Sequence, residues 1–317
     1  MKTYLVAKDE NKLLKQIEKI LNSDGINDVH LIGSEKISPK EIKERAFDAE
    51  ILVASPTAFA FLSKEHMQNM PNLKLITTLS VGTDWIDLEA ARERKIVVSN
   101  EKGVNSEAVA EHCFGLILDL AKRITEADRA IRQKENYAPA DYLGINIFGR
   151  TIGIIGVGDI GRTVARIAGG FNMRVIGINK SSTKVPGVTL VNLEQLLEES
   201  DIIVVTVPFT KETENLLSTK EFQKMKRGVL IVSISREKII DKKALLENIQ
   251  QGKVAGFGFD ADIIGSIPKN DPWLQNDRIV ITPHSASITE ESENGYALMT
   301  LENIRAFLSG KPIRVVN

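Results

Sequence analysis

The stretch TIGIIGVGDIGRTVARIAG, residues 151–169, constrains the fold of this chain more than any other segment. An apolar run typical of a buried strand leads into an amphipathic pattern typical of a helix, and Gly156, Gly158 and Gly161 mark the junction in G-x-G-x-x-G spacing. The first glycine permits a tight turn, the second lets the backbone approach a pyrophosphate, and the third lets the helix pack closely on the strand. Because the amino-terminal end of a helix attracts anions, the sequence predicts a dinucleotide site here.

Short apolar runs alternate with amphipathic segments along the chain, which predicts the α/β class with parallel sheets. In the first hundred residues the predicted strands are TYLVA, VHLI, ILVAS, KLITTLS and KIVVSN, with helices over NKLLKQIEKILN and SPKEIKERAF. From residue 151 the predicted strands are TIGIIG, RVIGIN, IIVVTV, GVLIVSIS, AGFGFD and RIVIT. Several are apolar throughout, as expected of strands covered on both faces.

The chain length predicts two domains, because 317 residues exceed what one hydrophobic core usually organises. A helical pattern from Asn105 to Gln133 predicts one long helix, and the polar stretch after it is typical of a junction. The last helical pattern, TEESENGYALMTLENIRAFLSG, is expected to return to the first domain. We therefore predict two Rossmann-like or flavodoxin-like domains, with the active site in the cleft between them. Residues 1–101 plus 286–317 would bind substrate, and residues 102–285 would bind the dinucleotide.

The composition limits the partners and the setting of the protein. A formal net charge of −1, with 26% charged residues, gives no sign of a nucleic-acid surface and leaves a small molecule as the expected partner. Cys113 is the only cysteine, so a disulfide framework and a cysteine-rich zinc site are excluded. No metal site is predicted, Cys113 is expected to be buried in a helix, and a reducing, cytoplasmic setting is expected. No apolar stretch reaches the roughly 20 residues of a membrane span, which predicts a soluble protein without membrane contact.

Three further segments place reactive side chains where strands are predicted to end: LSVGTDWID, VSISREKIID and ITPHSAS. Ligands of open α/β sheets bind at the carboxyl ends of the strands. Ser80 to Gly82, Arg236 and His284 could therefore face one crevice.

The order of these motifs resembles that of the D-isomer-specific 2-hydroxyacid dehydrogenases along nearly the whole chain. The matching segments are VGTDWIDLEAARERKIVVSN, GVNSEAVAEH, IGIIGVGDIGRTVA, VPFTKETENLL, SREKIIDKKALL, GFGFDAD and TPHSAS. The resemblance implies an NAD(P)-dependent oxidoreductase that acts on the CH–OH group of 2-hydroxy acids, or reduces a 2-keto acid such as glyoxylate or hydroxypyruvate. It implies that Arg236 anchors the substrate carboxylate and carbonyl oxygen, and that His284 is the acid and base.

The resemblance implies the remaining site residues as well. Substrate contacts are expected from Ser80, Val81, Gly82 and Asn105, with backbone amides near Val81 and Gly82 holding the carboxylate. Asp260 is expected to contact the nicotinamide amide. The set expected to bind the cofactor is Val109, Gly156, Gly158, Asp159, Ile160, Gly161, Asn179, Lys180, Ser181, Ser182, Val207, Pro208, Thr213, Ile234 and Asp260.

Two positions depart from the family pattern. Glu237 follows Arg236 where the family usually has glycine, which adds a negative charge near the site. Gly265 occupies the position of the family's catalytic glutamate. Asp262 or Asp271 could replace that carboxylate and leave a working 2-keto acid reductase. Otherwise the chain could be a formate dehydrogenase-like enzyme, or a nucleotide-sensing regulator without turnover.

The strand RVIGIN ends where NAD-binding chains usually carry an acidic residue for the ribose 2′-hydroxyl. Here Asn179 stands in place of that acidic residue, so the negative charge is absent. Hydrogen bonds to a 2′-phosphate can come from Lys180, Ser181, Ser182 and Lys184. NADP is therefore favoured over NAD.

A homodimer formed by the second domain is also expected. The predicted long helix carries more apolar residues than one buried face requires, and the resemblance implies pairing through this domain.

Overall fold

The computed structural model describes residues 1–8, 12–133, 138–180, 184–260 and 267–317. The chain divides into two compact units. Unit 1 consists of Met1–Asn105 and Thr289–Asn317, and unit 2 consists of Ser106–Ile288. Each unit contains one parallel β-sheet, which confirms the predicted α/β class with two parallel-sheet domains.

The apolar segments of the first hundred residues form the five parallel strands of unit 1. They are β1 (Thr3–Ala7), β2 (Val29–Gly33), β3 (Ile51–Ala54), β4 (Leu75–Thr78) and β5 (Val97–Ser99). The helices between them are α1 (Lys12–Ser23), α2 (Pro39–Arg45), α3 (Lys64–Gln68) and α4 (Leu88–Glu93). The strand order is β2-β1-β3-β4-β5, as in flavodoxin-like folds. Alternate residues of the central strands enter two separate cores, which explains why these strands are apolar throughout.

Unit 2 contains a seven-stranded parallel sheet. Its strands are β6 (Thr151–Ile155), β7 (Arg174–Ile178), β8 (Thr189–Leu190), β9 (Ile202–Val205), β10 (Val229–Ser233), β11 (Val254–Asp260) and β12 (Ile279–Thr282). Its helices are α5 (Ser106–Lys122), α6 (Ile124–Gln133), α7 (Asp159–Gly170), α8 (Leu193–Glu199), α9 (Thr219–Lys224) and α10 (Lys242–Gln250). The strand order is β12-β11-β10-β9-β6-β7-β8, so the direction of winding reverses between β6 and β9. Nucleotides bind at such a switch point in open α/β sheets.

The region predicted as one long helix forms two helices, α5 and α6. Arg123, between them, has a φ of 57°, in the left-handed region. The carboxylate of Asp119 accepts hydrogen bonds from the backbone N–H of Thr125 at 2.7 Å and from its hydroxyl at 2.8 Å. The N–H of Ile145 donates to the carbonyl of Ala121 at 2.8 Å. These hydrogen bonds satisfy polar groups at both new helix ends, so tertiary contacts override the helical pattern of the sequence.

The carboxyl-terminal segment completes unit 1. Helix α11 (Glu290–Leu308) packs on α1 and β4, as the sequence predicts. Val315 then forms an antiparallel bridge with Ser99 of β5. The side chain of Asn317 accepts from the N–H of Val98 at 2.9 Å and donates to the carbonyl of Ile96 at 2.7 Å. The tail therefore covers the edge strand of the sheet.

Within the described residues, no helix has the length and apolar character needed to cross a membrane. In the same part of the chain, no group of three or more His, Cys, Asp or Glu side chains could hold a metal ion. Cys113 is buried in α5, as predicted, and burial raises the pKa of its thiol.

Candidate active site

The glycine-rich turn follows β6 at the switch point of unit 2. Gly156 has a φ of 104°, and a Cβ there would lie 2.7 Å from Cγ1 of Val207. A Cβ at Gly161 would collide with the carbonyl oxygen of Gly156, so this glycine lets α7 approach the strand. No atom lies within 4 Å of the Cβ position of Gly158, which leaves open space in front of the turn. The three glycines thus meet the steric demands of a pyrophosphate-binding turn.

The same turn presents backbone donors to that open space. Gly158 is the N-cap residue of α7, and Asp159 is its first residue. The N–H groups of Ile160 and Gly161 have no acceptor among the residues that the structure describes. Because the helix dipole adds to these donors, the turn can hold an anionic pyrophosphate.

Four other residues predicted to bind the cofactor follow strands on the same side of the sheet. Val207 and Pro208 follow β9, and Ile234 follows β10. The hydroxyl of Thr213 donates to the carbonyl of Pro208 at 2.8 Å, which ties together the loop after β9. Val109 lies in α5 and is buried. The structure therefore brings the loops after β9 and β10 to the same edge as the glycine-rich turn.

The residues after β7 include those predicted to lie beside the ribose of the cofactor. The side-chain amide of Asn179 donates to the carbonyl of Val157 at 3.4 Å. Lys180 pairs with Glu212 at 2.7 Å, and the hydrogen bond and charge of Lys180 lower the pKa of the Glu212 carboxyl. Since both side chains are exposed, this ion pair is weak and Lys180 can exchange Glu212 for another anion. Lys184 is exposed as well.

Residues 282–286, here called the acid–base loop, leave β12 and carry His284. The His284 backbone has a φ of 53°, a left-handed conformation that residues with side chains rarely adopt. Its N–H donates to the carbonyl of Thr282 at 3.0 Å, and its side chain is exposed. A strained backbone that presents an exposed imidazole is typical of a functional position.

Asp260, at the end of β11, holds the acid–base loop. Its carboxylate accepts hydrogen bonds from the Thr282 hydroxyl at 2.6 Å, the Ser285 N–H at 2.9 Å and the Ala286 N–H at 3.0 Å. Thr282 is the register partner of Asp260 in the β11–β12 pair. Asp260 was predicted to contact the nicotinamide amide. The structure gives it a second task that the sequence did not reveal, since it binds the Thr282 side chain before His284 and the backbone after His284.

Arg236 lies at the same edge of the sheet, after β10. It is the N-cap residue of a short 3₁₀ turn, Glu237–Ile239, and its side chain is half-buried. Ser235 before it donates to the carbonyl of Val205 at 3.1 Å, which holds the exit from the strand. Glu237, the first residue of this turn, is half-buried. The negative charge that follows Arg236 in the sequence therefore belongs to the 3₁₀ turn.

The loop after β4 in unit 1, residues 80–82, is held by its carbonyl groups. The carbonyl of Ser80 accepts from the Thr78 hydroxyl at 2.7 Å, that of Val81 from the Asn100 amide at 2.8 Å, and that of Gly82 from the Trp85 indole at 3.0 Å. By contrast, the three N–H groups of this loop have no acceptor in the described part of the chain. A loop with fixed carbonyls and unpaired amides can bind a carboxylate.

The next segment of unit 1 contains two buried side-chain oxygen atoms, Oδ1 of Asn105 and Oε2 of Glu101, that have no hydrogen-bond partner among the described residues. Glu101 accepts from the Thr300 hydroxyl at 2.6 Å, and its N–H donates to the carbonyl of Ser80 at 3.2 Å. Burial raises the pKa of Glu101 well above its usual value, although Thr300 and the charge of Arg314 act in the opposite direction. Sequence reasoning missed Glu101, because an acidic residue after a strand gives no sign of being buried.

Four residues named by the sequence analysis lie outside the described residues: Ser181, Ser182, Asp262 and Gly265. Asp271, the other carboxylate considered as a replacement for the family's glutamate, is described. It pairs with Lys242 at 2.6 Å and accepts from the N–H of Trp273 at 2.9 Å. Its carboxylate is therefore already engaged by these two partners.

Known proteins resemble this chain along most of its length. The model of the NAD binding domain of D-isomer specific 2-hydroxyacid dehydrogenases matches residues 114–286. A glyoxylate reductase from Korarchaeum cryptofilum is 38% identical over 288 residues, which cover 88% of this chain and 86% of that protein. An acyclic imino acid reductase (Bsp5), solved in complex with NADPH and D-Arg, has a TM-score of 0.88 at 30% identity and covers 99% of this chain and 100% of its own. A D-lactate dehydrogenase from Aquifex aeolicus, complexed with NAD and lactic acid, has a TM-score of 0.83 at 29% identity and covers 97% of this chain and 96% of its own.

Proposed function

Because this chain belongs to the D-isomer specific 2-hydroxyacid dehydrogenase family, we propose that it reduces a small 2-keto acid of the glyoxylate or hydroxypyruvate type. It is an NAD(P)-dependent oxidoreductase that acts on the CH–OH group of 2-hydroxy acids, so the reverse oxidation uses the same site. The observation that carries the proposal is the acid–base loop, in which a buried carboxylate fixes the backbone around an exposed histidine. The glyoxylate reductase relative supports a small substrate.

In the proposed reaction, the substrate carboxylate accepts hydrogen bonds from the backbone amides of Ser80, Val81 and Gly82. Arg236 binds the carboxylate and the carbonyl oxygen, which polarises the C=O bond. When bound, the nicotinamide cofactor supplies the hydride. His284 donates its proton to the carbonyl oxygen, so that hydride and proton together convert C=O into CH–OH. In the oxidation, His284 takes the hydroxyl proton. The contributions of these residues, and of Asn105, are part of the proposal.

NADP is the proposed cofactor. Asn179 carries no charge that would repel a 2′-phosphate, and Lys180 forms an exposed pair with Glu212. Lys184 adds a second exposed cation in the same loop. The relatives include one solved with NADPH and one solved with NAD, so family membership supports either cofactor.

Steady-state kinetics test the function and the cofactor together. NADPH and NADH oxidation is measured with glyoxylate and hydroxypyruvate, and NAD reduction is measured with formate. We expect keto-acid reduction with a higher kcat/KM for NADPH, and a shift toward NADH in Asn179→Asp. A higher kcat/KM with NADH would contradict the cofactor proposal. Turnover of formate alone would favour the formate dehydrogenase-like alternative, and cofactor binding without any turnover would favour the regulatory one.

We also propose that the protein is a homodimer that pairs through unit 2. The support is a set of exposed apolar side chains on α6 and in the segment that follows it: Ile124, Ile131, Leu143 and Phe148. Leu143 is the most exposed of these four residues, at 84%. A reducing, cytoplasmic setting remains a prediction that is based on the single cysteine.

A further inference from the structure

Helix α5 lies directly on β11, because this strand has glycine at two alternate positions. A Cβ at Gly256 would lie 3.0 Å from Cδ2 of Leu120, and a Cβ at Gly258 would lie 3.1 Å from the Cβ of Leu116. Residues 256, 258 and 260 share one face of the strand, and residues 120, 116 and 112 share one face of the helix. The next pair in this series is therefore Asp260 and His112. Their side chains approach within 3.8 Å, from Nε2 to Oδ1.

Three side chains form a directed chain of hydrogen bonds at this end of the helix. Nε2 of His112 lies 2.9 Å from Oγ1 of Thr282, which lies 2.6 Å from Oδ1 of Asp260. A carboxylate can only accept, so the Thr282 hydroxyl donates its one proton to Asp260. Thr282 must then accept from His112, and this assigns the proton of the His112 imidazole to Nε2.

We infer that His112 is a positioning residue for the proposed reaction and acts through Thr282 and Asp260. The Asp260 carboxylate also binds the N–H groups of Ser285 and Ala286, which directly follow His284. His112 thus orients the two groups that hold His284 in its left-handed conformation. This inference rests on the proposed function in one respect only, namely that His284 is the residue whose placement matters.

A positioning role for His112 predicts a specific effect on the kinetics. His112 reaches the reacting atoms only through other side chains, so its loss would misplace the His284 imidazole without removing it. Small misplacements of a catalytic group can lower turnover up to about 100-fold while leaving binding intact. The effect should therefore appear in kcat rather than in cofactor affinity.

The test uses His112→Leu and Thr282→Val. Each change replaces a hydrogen-bonding side chain with an apolar side chain of similar size. Both should lower kcat roughly 10- to 100-fold, with the cofactor dissociation constant, measured by fluorescence, unchanged. Thr282→Ser retains the hydroxyl and should recover most of the turnover. Glu111→Gln, at the neighbouring exposed position of α5, is the control for changes in the helix and should match the wild type. The double variant should be no slower than the slower single variant, because both changes break one chain.

Two further measurements decide how a loss of turnover is interpreted. The pH profile of kcat for His112→Leu should keep the acidic and basic limbs of the wild-type profile. Loss of either limb would show that His112 is itself the acid or base, which would overturn the inference. A lower melting temperature with unchanged kcat would overturn it as well.

Amide hydrogen exchange at Ser285 and Ala286 tests the network without any turnover. It should be at least about tenfold faster in His112→Leu than in the wild type, since one support of the Asp260 carboxylate is lost. Unchanged exchange would overturn the inference even in an active enzyme. If the wild type reduces no keto acid, the proposed function fails, but this measurement still reports on the positioning network.

Discussion

At the scale of single residues, His284 shows how the chain holds an exposed side chain in a defined orientation. Its left-handed backbone is unfavourable for a residue with a side chain, by about 1–2 kcal/mol. The hydrogen bonds from Thr282, Ser285 and Ala286 to the buried Asp260 carboxylate hold that conformation. An imidazole on such a backbone stays open to substrate and still has a defined direction, which a general acid requires.

Replacing His284 is the most direct test of the proposed chemistry. His284→Ala should lower kcat for keto-acid reduction roughly 10²- to 10⁴-fold, because the proton donor is lost. The cofactor dissociation constant should stay the same, since the glycine-rich turn is untouched. Stopped-flow measurement of NADPH oxidation and a fluorescence titration check both quantities. A variant that reduces keto acids as fast as the wild type would show that the proton comes from another group.

Glu101 predicts a dependence of stability on pH in unit 1. Burial raises the pKa of this carboxyl in the folded state above its unfolded value of about 4.3. At low pH both states carry the proton and Glu101 has no effect. As the pH rises above the unfolded value, the unfolded state releases its proton and the folded state retains it, so folding loses stability until the folded-state pKa is passed.

Glu101→Gln should therefore be more stable than the wild type at pH 8. The difference in unfolding free energy between the two proteins should become smaller toward pH 4. Each pKa unit of difference between the two states corresponds to about 1.4 kcal/mol of unfolding free energy. Thermal melts between pH 4 and 9 measure the difference in Tm between Glu101→Gln and the wild type. Glu302→Gln, an exposed carboxylate beside Arg314, is the control and should show no such trend. A gap that is constant across this range would exclude a raised pKa at Glu101.

At the scale of elements, the sequence predicts strands well and helix ends poorly. Within the part of the chain that the structure describes, apolar runs predict eleven of the twelve strands, and β8, with two residues, is too short to show a pattern. The break between α5 and α6 depends on the Asp119 carboxylate, which caps the start of α6 at Thr125, and on Ile145, which is distant in sequence and binds the end of α5. Neither contact is visible in the local periodicity. The His112 network escaped prediction for the same reason, because the match between glycines on β11 and leucines on α5 is apparent only once the two elements are paired.

The end of α4 offers a test of local backbone strain. Lys95 follows this helix with a φ of 57°, and its N–H donates to the carbonyl of Arg92 at 3.0 Å. Glycine is the residue that helices usually place at this position. Lys95→Gly should raise the unfolding free energy by about 0.5–1 kcal/mol, because a left-handed residue with a side chain is replaced by one without that penalty.

The matched control for this change is Arg92→Gly, in the exposed part of the same helix. There glycine should lower the unfolding free energy by about 1 kcal/mol, because the backbone is helical and gains nothing from glycine. Chemical denaturation of both variants measures the two effects. If Lys95→Gly is destabilised as much as Arg92→Gly, then the left-handed backbone at residue 95 is not strained.

At the scale of the whole molecule, two parallel sheets present binding groups by the same principle. In each unit the strands end at one edge. Loops there carry backbone N–H groups that have no acceptor in the described ranges, at residues 80–82 in unit 1 and in the first turn of α7 in unit 2. The sequence predicted both loops as binding segments, the first from its place at the end of a strand and the second from its glycine spacing, and these roles stay predictions. The sequence could not show that Asn100 holds the carbonyl of Val81, because this contact joins distant segments. Nor could it show that Thr78 and Trp85 hold the carbonyls of Ser80 and Gly82, because contacts within a loop leave no periodic pattern.

The proposed homodimer is the prediction that concerns the whole molecule. Ile124 and Ile131 are seven residues apart on α6 and share one face, and both are more than half exposed. Leu143 and Phe148, in the segment after α6, add further exposed apolar surface to unit 2. A second copy of the chain would remove this surface from water, at about 25 cal/mol per Å² of apolar area.

Light scattering on the full chain should therefore give twice the 35.0 kDa of one chain at micromolar concentration. The double variant Ile131→Glu with Leu143→Glu should shift the mass toward the monomer, because pairing would bury two charges without partners. Leu298→Glu is the control, since Leu298 on α11 of unit 1 is 55% exposed, close to the 56% of Ile131. The control should keep the mass of the wild type. A monomeric wild type would refute the dimer, and a dimer that survives the double variant but not Leu298→Glu would place the interface on unit 1 instead.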